Sequence, residues 1–108
     1  MSDPGASPPT TRILVVEDDP EIQYLLCQIL LDDDREVVVA GTAAEGERHL
    51  THGGFHLLVL DLLLPDADGR LLLRSLRARR ETANLPVVVV TSRTSQALRF
   101  ECFELGAD

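Results

Sequence analysis

Ile13-Leu14-Val15-Val16-Glu17-Asp18-Asp19-Pro20-Glu21 decides the fold. Its first four residues are a continuous apolar run rich in β-branched side chains, the pattern of a strand buried on both faces. Two acids follow at the carboxyl end of that run. Asp19 then suits a helix N-cap, Pro20 the first helical position and Glu21 the first turn. Beyond them Ile22, Leu25, Leu26, Ile29 and Leu30 recur at i, i+3, i+4, i+7 and i+8, which predicts an amphipathic helix. A doubly buried strand leading straight into a helix is the unit of an α/β sheet.

The unit repeats. Asp32-Asp33-Asp34 ends the first helix, because three acids at a C-terminus oppose the helix dipole; they read as a solvated loop rather than a metal site. Val37 to Val39 is a second strand, Ala43 to Leu50 a second helix broken by Gly53-Gly54, and Leu57 to Leu60 a third strand. Gly69 to Arg80 is predicted to be the third helix, with Leu72, Leu73 and Leu76 inward. Arg70, Arg74 and Arg77 fall together on its outer side, as on a solvated face. Pro86 opens a fourth strand, Val87 to Val90, which runs into Thr91-Ser92; Ser95 to Leu105 is a last helix with Gly106 as its C′ residue. This (βα)4 alternation predicts a doubly wound parallel sheet with helices on both faces. Such sheets bind ligands at the carboxyl ends of strands, where the winding direction reverses.

Composition narrows the function. With 108 residues, 44% hydrophobic and 26% charged, the chain suits one soluble domain. Its aromatic residues and Met number so few that Leu, Val, Ile and Ala must build the core. A net charge of −8 argues against non-specific nucleic-acid binding by this domain, since phosphate contacts need a basic surface. Every basic residue is Arg; there is no Lys. Cys27 and Cys102 lack metal-ligand spacing and read as small buried hydrophobes in a reducing compartment, so a cytoplasmic location is expected. Residues Met1 to Thr11, rich in Ser, Pro, Thr and Gly, lack the basic start and apolar run of a signal peptide and read as a disordered leader before a domain spanning 12–108. No apolar stretch reaches membrane-spanning length.

Asp61 stands in Leu57-Leu58-Val59-Leu60-Asp61-Leu62-Leu63-Leu64-Pro65, a lone acid among apolar residues. Burying an ionised carboxylate is costly unless something pairs with it. Glu17 and Asp18 end one strand, Asp61 another and Thr91 a third, so the fold gathers them at one sheet edge as a polar, cation-binding site. Milder readings exist for each: a turn cap for Asp61, a helix-start charge bias for Glu17 and Asp18, and simple strand preference for Thr91.

The segments Ile13 to Pro20, Asp61-Leu62-Leu63-Leu64-Pro65-Asp66-Ala67-Asp68-Gly69, Pro86 to Thr91 and Leu105-Gly106-Ala107-Asp108 together resemble bacterial response-regulator receiver domains, in register from about Arg12 onward. The resemblance implies a flavodoxin-like fold. It implies Asp61 as phosphoacceptor, taking its phosphoryl group from a sensor histidine kinase or phosphotransfer protein. Glu17 and Asp18 match the acidic pair that holds Mg2+ with Asp61, Leu63 would lend its backbone carbonyl, and Thr91 matches the hydroxyl residue that hydrogen-bonds the phosphoryl group. Asp19 matches no ligand position. The chemistry agrees: crowded carboxylates repel, a hard divalent cation relieves that, and phosphoryl transfer needs alignment and charge neutralisation above all. Such a domain promotes only its own phosphorylation and dephosphorylation.

The family pattern goes on with a fifth strand ending in Lys and a fifth helix, so (βα)4 of an expected (βα)5 is present and a C-terminally truncated receiver is expected. The fourth strand is then an apolar edge, and pairing of two copies through it or through the last helix is expected. Two smaller departures are His56, read as a turn residue, and Leu98, where a polar side chain is usual. A phosphorylation-independent interaction module is the alternative class. A Mg2+ phosphohydrolase is disfavoured, because its second acid would stand at Leu63.

Overall fold

The computed structural model describes residues 11–90 and 101–108. Strand β1 (Thr11–Val16) leads to helix α1 (Pro20–Leu30), then β2 (Arg35–Ala40), α2 (Ala43–His52), β3 (Leu57–Leu60), α3 (Gly69–Arg77) and β4 (Val87–Val89). A helical stretch at 101–104 follows. The strands form one parallel sheet in the order β2-β1-β3-β4. The chain steps outward from β1 to β2, then crosses back over β1 to β3, so the winding reverses between β1 and β3.

Strand alternation sorts the core onto two faces. Leu14, Val16, Leu58, Leu60 and Val87 pack with Leu50 of α2 and Leu72, Leu73 and Leu76 of α3. Ile13, Val15 and Val59 point the other way, against Leu26 and Leu30 of α1. The predicted inner face of α3 is therefore the observed one. On α1 the prediction holds only in part: Ile22, Leu25 and Ile29 remain 37%, 58% and 73% exposed. Among the described elements α1 alone lies on its side of the sheet, and one helix buries a narrower stripe than the sequence pattern offers.

Boundaries moved where tertiary bonds intervene. Thr11, expected to close the leader, is the first residue of β1, paired with Arg35. Helix α3 stops at Arg77 instead of Arg80, because the Thr82 hydroxyl donates to the Leu76 carbonyl and caps the last turn. Arg77 does not belong to a solvated face. Its guanidinium donates to the carbonyls of Thr82 and Ala83 (both 3.1 Å) and of Gly106 (3.0 and 2.7 Å), tying the α3–β4 turn to the C-terminal segment. Arg70 is also engaged, with Asp68 and Glu101, which leaves Arg74 as the exposed member of the expected stripe.

Gly106 ends the last helical stretch at φ +104, a backbone conformation that glycine tolerates, and Ala107 N donates to Cys102 O (2.9 Å). The first rung of the outer edge of β4 is taken: Asp108 N donates to Val87 O (2.8 Å), and Val87 N donates to Asp108 Oδ2 (3.0 Å). Cys102 is buried beside Leu62, and burial raises its thiol pKa, so it behaves as an inert core residue; Cys27 is half-buried and free. Thr91, Ser92 and Leu98 lie outside the described residues, as do positions 1–10 of the expected leader.

Candidate functional site

Register brings the site together. Val16 of β1 is paired with Leu60 of β3, so the next residues, Glu17 and Asp61, emerge side by side at the carboxyl edge. Asp61 N donates to Val16 O (2.9 Å) and Glu17 N to Ala40 O (3.0 Å), which extends the ladder into the site. Asp18 follows. Carboxylate oxygens of Glu17, Asp18 and Asp61 all lie within 4.8 Å of one another. This is also where the winding reverses, the position at which a doubly wound sheet leaves a crevice.

The three carboxylates are not equivalent. Glu17 is 3% exposed, Asp61 is half-buried and Asp18 is exposed. Burial pushes the Glu17 carboxyl up to about 8; a hydrogen bond with Asp61 and the charge of Asp61 add to this, while the Asp18 amide, which donates to Glu17 Oε2 (3.0 Å), pulls it down. Two unit charges 4.8 Å apart repel by about 3 kcal/mol at an effective dielectric of about 20. The cluster therefore requires a shared proton or a cation. Three oxygen donors with this repulsion between them suit a hard divalent ion such as Mg2+.

The surrounding turns hold the cluster in place. The Asp19 carboxylate accepts from Glu21 N (2.9 Å) and caps α1, so it is occupied away from the cluster, as its N-cap pattern predicts. The Gln23 side-chain amide donates to the Glu17 carbonyl. Past β3, Asp61 Oδ1 accepts from Leu63 N (3.2 Å), Leu63 pairs with Asp68 in a short antiparallel bridge, and Gly69 N donates to Leu62 O (2.8 Å). Gly69 has to be glycine: a Cβ there would lie 2.5 Å from Asp61 O and 2.8 Å from Leu62 Cα. Asp68 caps α3 and receives the Arg70 guanidinium (2.6 Å), whose other arm reaches Glu101 (2.9 Å).

Of the expected site residues, Glu17, Asp18 and Asp61 are brought together, Leu63 stands two residues along the loop, and Thr91 lies outside the described residues. The Asp32-Asp33-Asp34 run does not join the cluster; Asp32 accepts from its neighbour Asp33 (2.7 Å). His56 sits at the opposite edge of the sheet as the expected turn residue, its Nδ1 accepting from Arg12 N (3.0 Å). Asp66 carried no role in the sequence. Its carboxylate accepts from Ala43 N (2.8 Å) and Ala44 N (3.0 Å), and these bonds lower its pKa. A partner more than twenty positions away and made of main chain leaves no spacing signal.

Comparisons with known proteins agree on one family. The family model of the response regulator receiver domain matches residues 13–108. A protein-glutamate methylesterase/protein-glutamine glutaminase from Anaeromyxobacter dehalogenans is 45% identical over 101 residues, covering 91% of this chain and 28% of its own length. The chain spans less than half the length of the curated relatives it matches. The non-phosphorylated HemR receiver domain from Leptospira biflexa superposes with a TM-score of 0.80 at 36% identity, over 90% of this chain and 77% of that one. The Mn2+-bound form of response regulator Rcp1 superposes with a TM-score of 0.81 at 25% identity, over 91% and 77%. Among the described residues no helix is long and apolar enough to cross a membrane.

Proposed function

The chain belongs to the response regulator receiver family, and on that premise we propose that Asp61 is its phosphoacceptor in two-component signalling. The observation that carries this is the pairing of Val16 with Leu60, which sets Glu17 beside Asp61 at the switch point. Glu17, Asp18, Asp61 and the Leu63 carbonyl would hold Mg2+; the carboxylate cluster supports this, as does a structural relative that binds a divalent ion, Mn2+. The ion, when bound, supplies positive charge that offsets the charge on the phosphoryl oxygens.

The steps belong to the chain. Asp61, fixed by the hydrogen bond its N–H donates to the Val16 carbonyl and by the Leu63 N–H on Oδ1, presents its other oxygen to phosphorus. A P–O bond to Asp61 forms as the P–N bond of a phosphohistidine breaks, and the bonding pair stays with the imidazole nitrogen. Thr91 would hydrogen-bond the transferred group. The donor is a sensor histidine kinase or a phosphotransfer protein, and the exchange takes place in the cytoplasm. Catalysis is confined to the module's own phosphorylation and dephosphorylation, and the modified state biases a conformational switch read near the last helix.

Labelling with acetyl phosphate tests this. Intact mass should show one phosphoryl adduct that requires Mg2+ and is lost in Asp61→Asn. An adduct retained in Asp61→Asn overturns the site; no adduct and no Mg2+ binding favour an interaction module that works without phosphate.

A further inference from the structure

The loop from Asp61 to Asp68 carries two of the proposed metal contacts, Leu63 and the phosphoacceptor Asp61 itself, yet it is largely exposed beyond Leu62: Leu63, Pro65 and Asp66 all face solvent. Its base is closed by the Leu63–Asp68 bridge and by Gly69 N on Leu62 O. Its tip has two attachments. Leu64 packs against the main core, and the Asp66 carboxylate reaches across to the first turn of α2.

The bonds of that first turn can be accounted for in full. Ala43 N and Ala44 N are taken by the two oxygens of Asp66, Glu45 N by the Thr42 hydroxyl (3.1 Å) and Gly46 N by the Thr42 carbonyl (3.0 Å). Thr42 caps the helix in the ordinary local way. Asp66 completes the cap from a different loop, with a negative charge placed where the helix dipole favours one. Helix α2 is itself fixed tightly to β1: a Cβ at Gly46 would lie 2.9 Å from a Val16 methyl carbon. Val16 is the residue immediately before Glu17. The clamp therefore closes a ring that runs from Asp61 through the loop to Asp66, into α2, onto Val16 and back to the carboxylate cluster.

We propose that Asp66 is a positioning residue for the phosphoacceptor loop, holding its tip on α2 so that Asp61 and the Leu63 carbonyl keep a fixed spacing from Glu17 and Asp18. The inference rests on the function proposed above. It concerns a side chain that touches neither the phosphoryl group nor the metal and acts through the loop alone. Outer partners of metal ligands matter because ligand spacing, not ligand identity alone, sets affinity. A nucleophile displaced by a fraction of an ångström loses much of its advantage.

The test uses the full 108-residue chain with Asp66→Ala, Asp66→Asn and Thr82→Val, the last removing a helix cap far from the loop as a stability control. Two quantities are read: the Mg2+ dissociation constant by calorimetry, and the acetyl phosphate labelling rate at Mg2+ saturating for each variant. Asp66→Ala should weaken Mg2+ binding about tenfold and slow labelling about tenfold. Asp66→Asn, with one acceptor oxygen left, should recover part of both losses. Thr82→Val should unfold at lower urea while both site readouts stay at wild type. The clamp is refuted if Asp66→Ala keeps wild-type values, or if Thr82→Val loses as much as it does. Should the Ala variant fail to fold, Asn decides, and wild-type values in Asn refute the clamp. A wild-type chain that takes neither Mg2+ nor phosphate overturns the proposed function instead, and the clamp with it.

Discussion

Mg2+ binding at the cluster should release a proton over an unusual pH range. Glu17 is the reason: burial and the adjacent Asp61 push its carboxyl up to about 8 in the metal-free protein. A cation and a proton compete for the same carboxylate, so apparent affinity scales with the fraction of Glu17 that is ionised. With a pKa of about 8 that fraction is about 1% at pH 6, about 9% at pH 7 and about 90% at pH 9. Affinity should therefore rise about tenfold per pH unit from pH 6, flatten near pH 8, and gain about ninetyfold in all by pH 9. A Glu of ordinary pKa, about 4.3, is almost fully ionised at pH 6 and would give almost no change. Calorimetric titration at pH 7 in two buffers of different ionisation enthalpy counts the protons directly, with about 0.9 expected per ion. Glu17→Gln should bind weakly and lose this dependence, because the amide keeps the shape and removes the exchangeable proton. Equal affinity at pH 6 and pH 9 in wild type, with no proton released, would refute the account of the site as a cluster that must hold either a proton or a metal.

The same group predicts how folding stability responds to pH. Its folded pKa lies above its unfolded value, so the folded state binds more protons between about 4.5 and about 8; Glu17's contribution is complete below that window and is lost as pH rises through it. Urea midpoints of the metal-free protein should fall from pH 5.5 to pH 8, and saturating Mg2+ should remove the fall; a midpoint that rises without metal contradicts the assignment. Gly69→Ala should cost about 1–3 kcal/mol by urea unfolding, because the added methyl meets main chain at Asp61 and Leu62, which cannot swing aside as a side chain would. Labelling by acetyl phosphate should slow in the same variant, and wild-type stability with wild-type labelling would show that the α3 start does not brace Asp61.

How far the sequence could be read depends on what kind of partner each residue has. β3 lies at Leu57–Leu60 as its apolar run implies, and Asp19, Asp61 and Gly106 take the positions their neighbours in the chain prescribe, because strand burial, N-caps and C′ glycines are local patterns. The carboxylate cluster was legible for a further reason: parallel strands in register bring successive carboxyl ends to one edge, so a strand-end acid identifies its own neighbours. Arg77 and Asp66 escaped the same reading. Both bind main-chain atoms of loops and helix ends whose position follows from the tertiary path, and no periodicity in the chain encodes where a carbonyl of Thr82 or an amide of Ala43 will lie. The exposed flank of α1 marks a third limit. Its repeat tells which side of the helix is apolar, whereas the number of helices sharing that face follows from strand order, β2-β1-β3-β4, which is set by the crossover and not by α1 itself. The residues that hold a loop in place are thus harder to see than the residues that do its chemistry, which is why the test of Asp66 adds a metal affinity and a rate to the stability measurement.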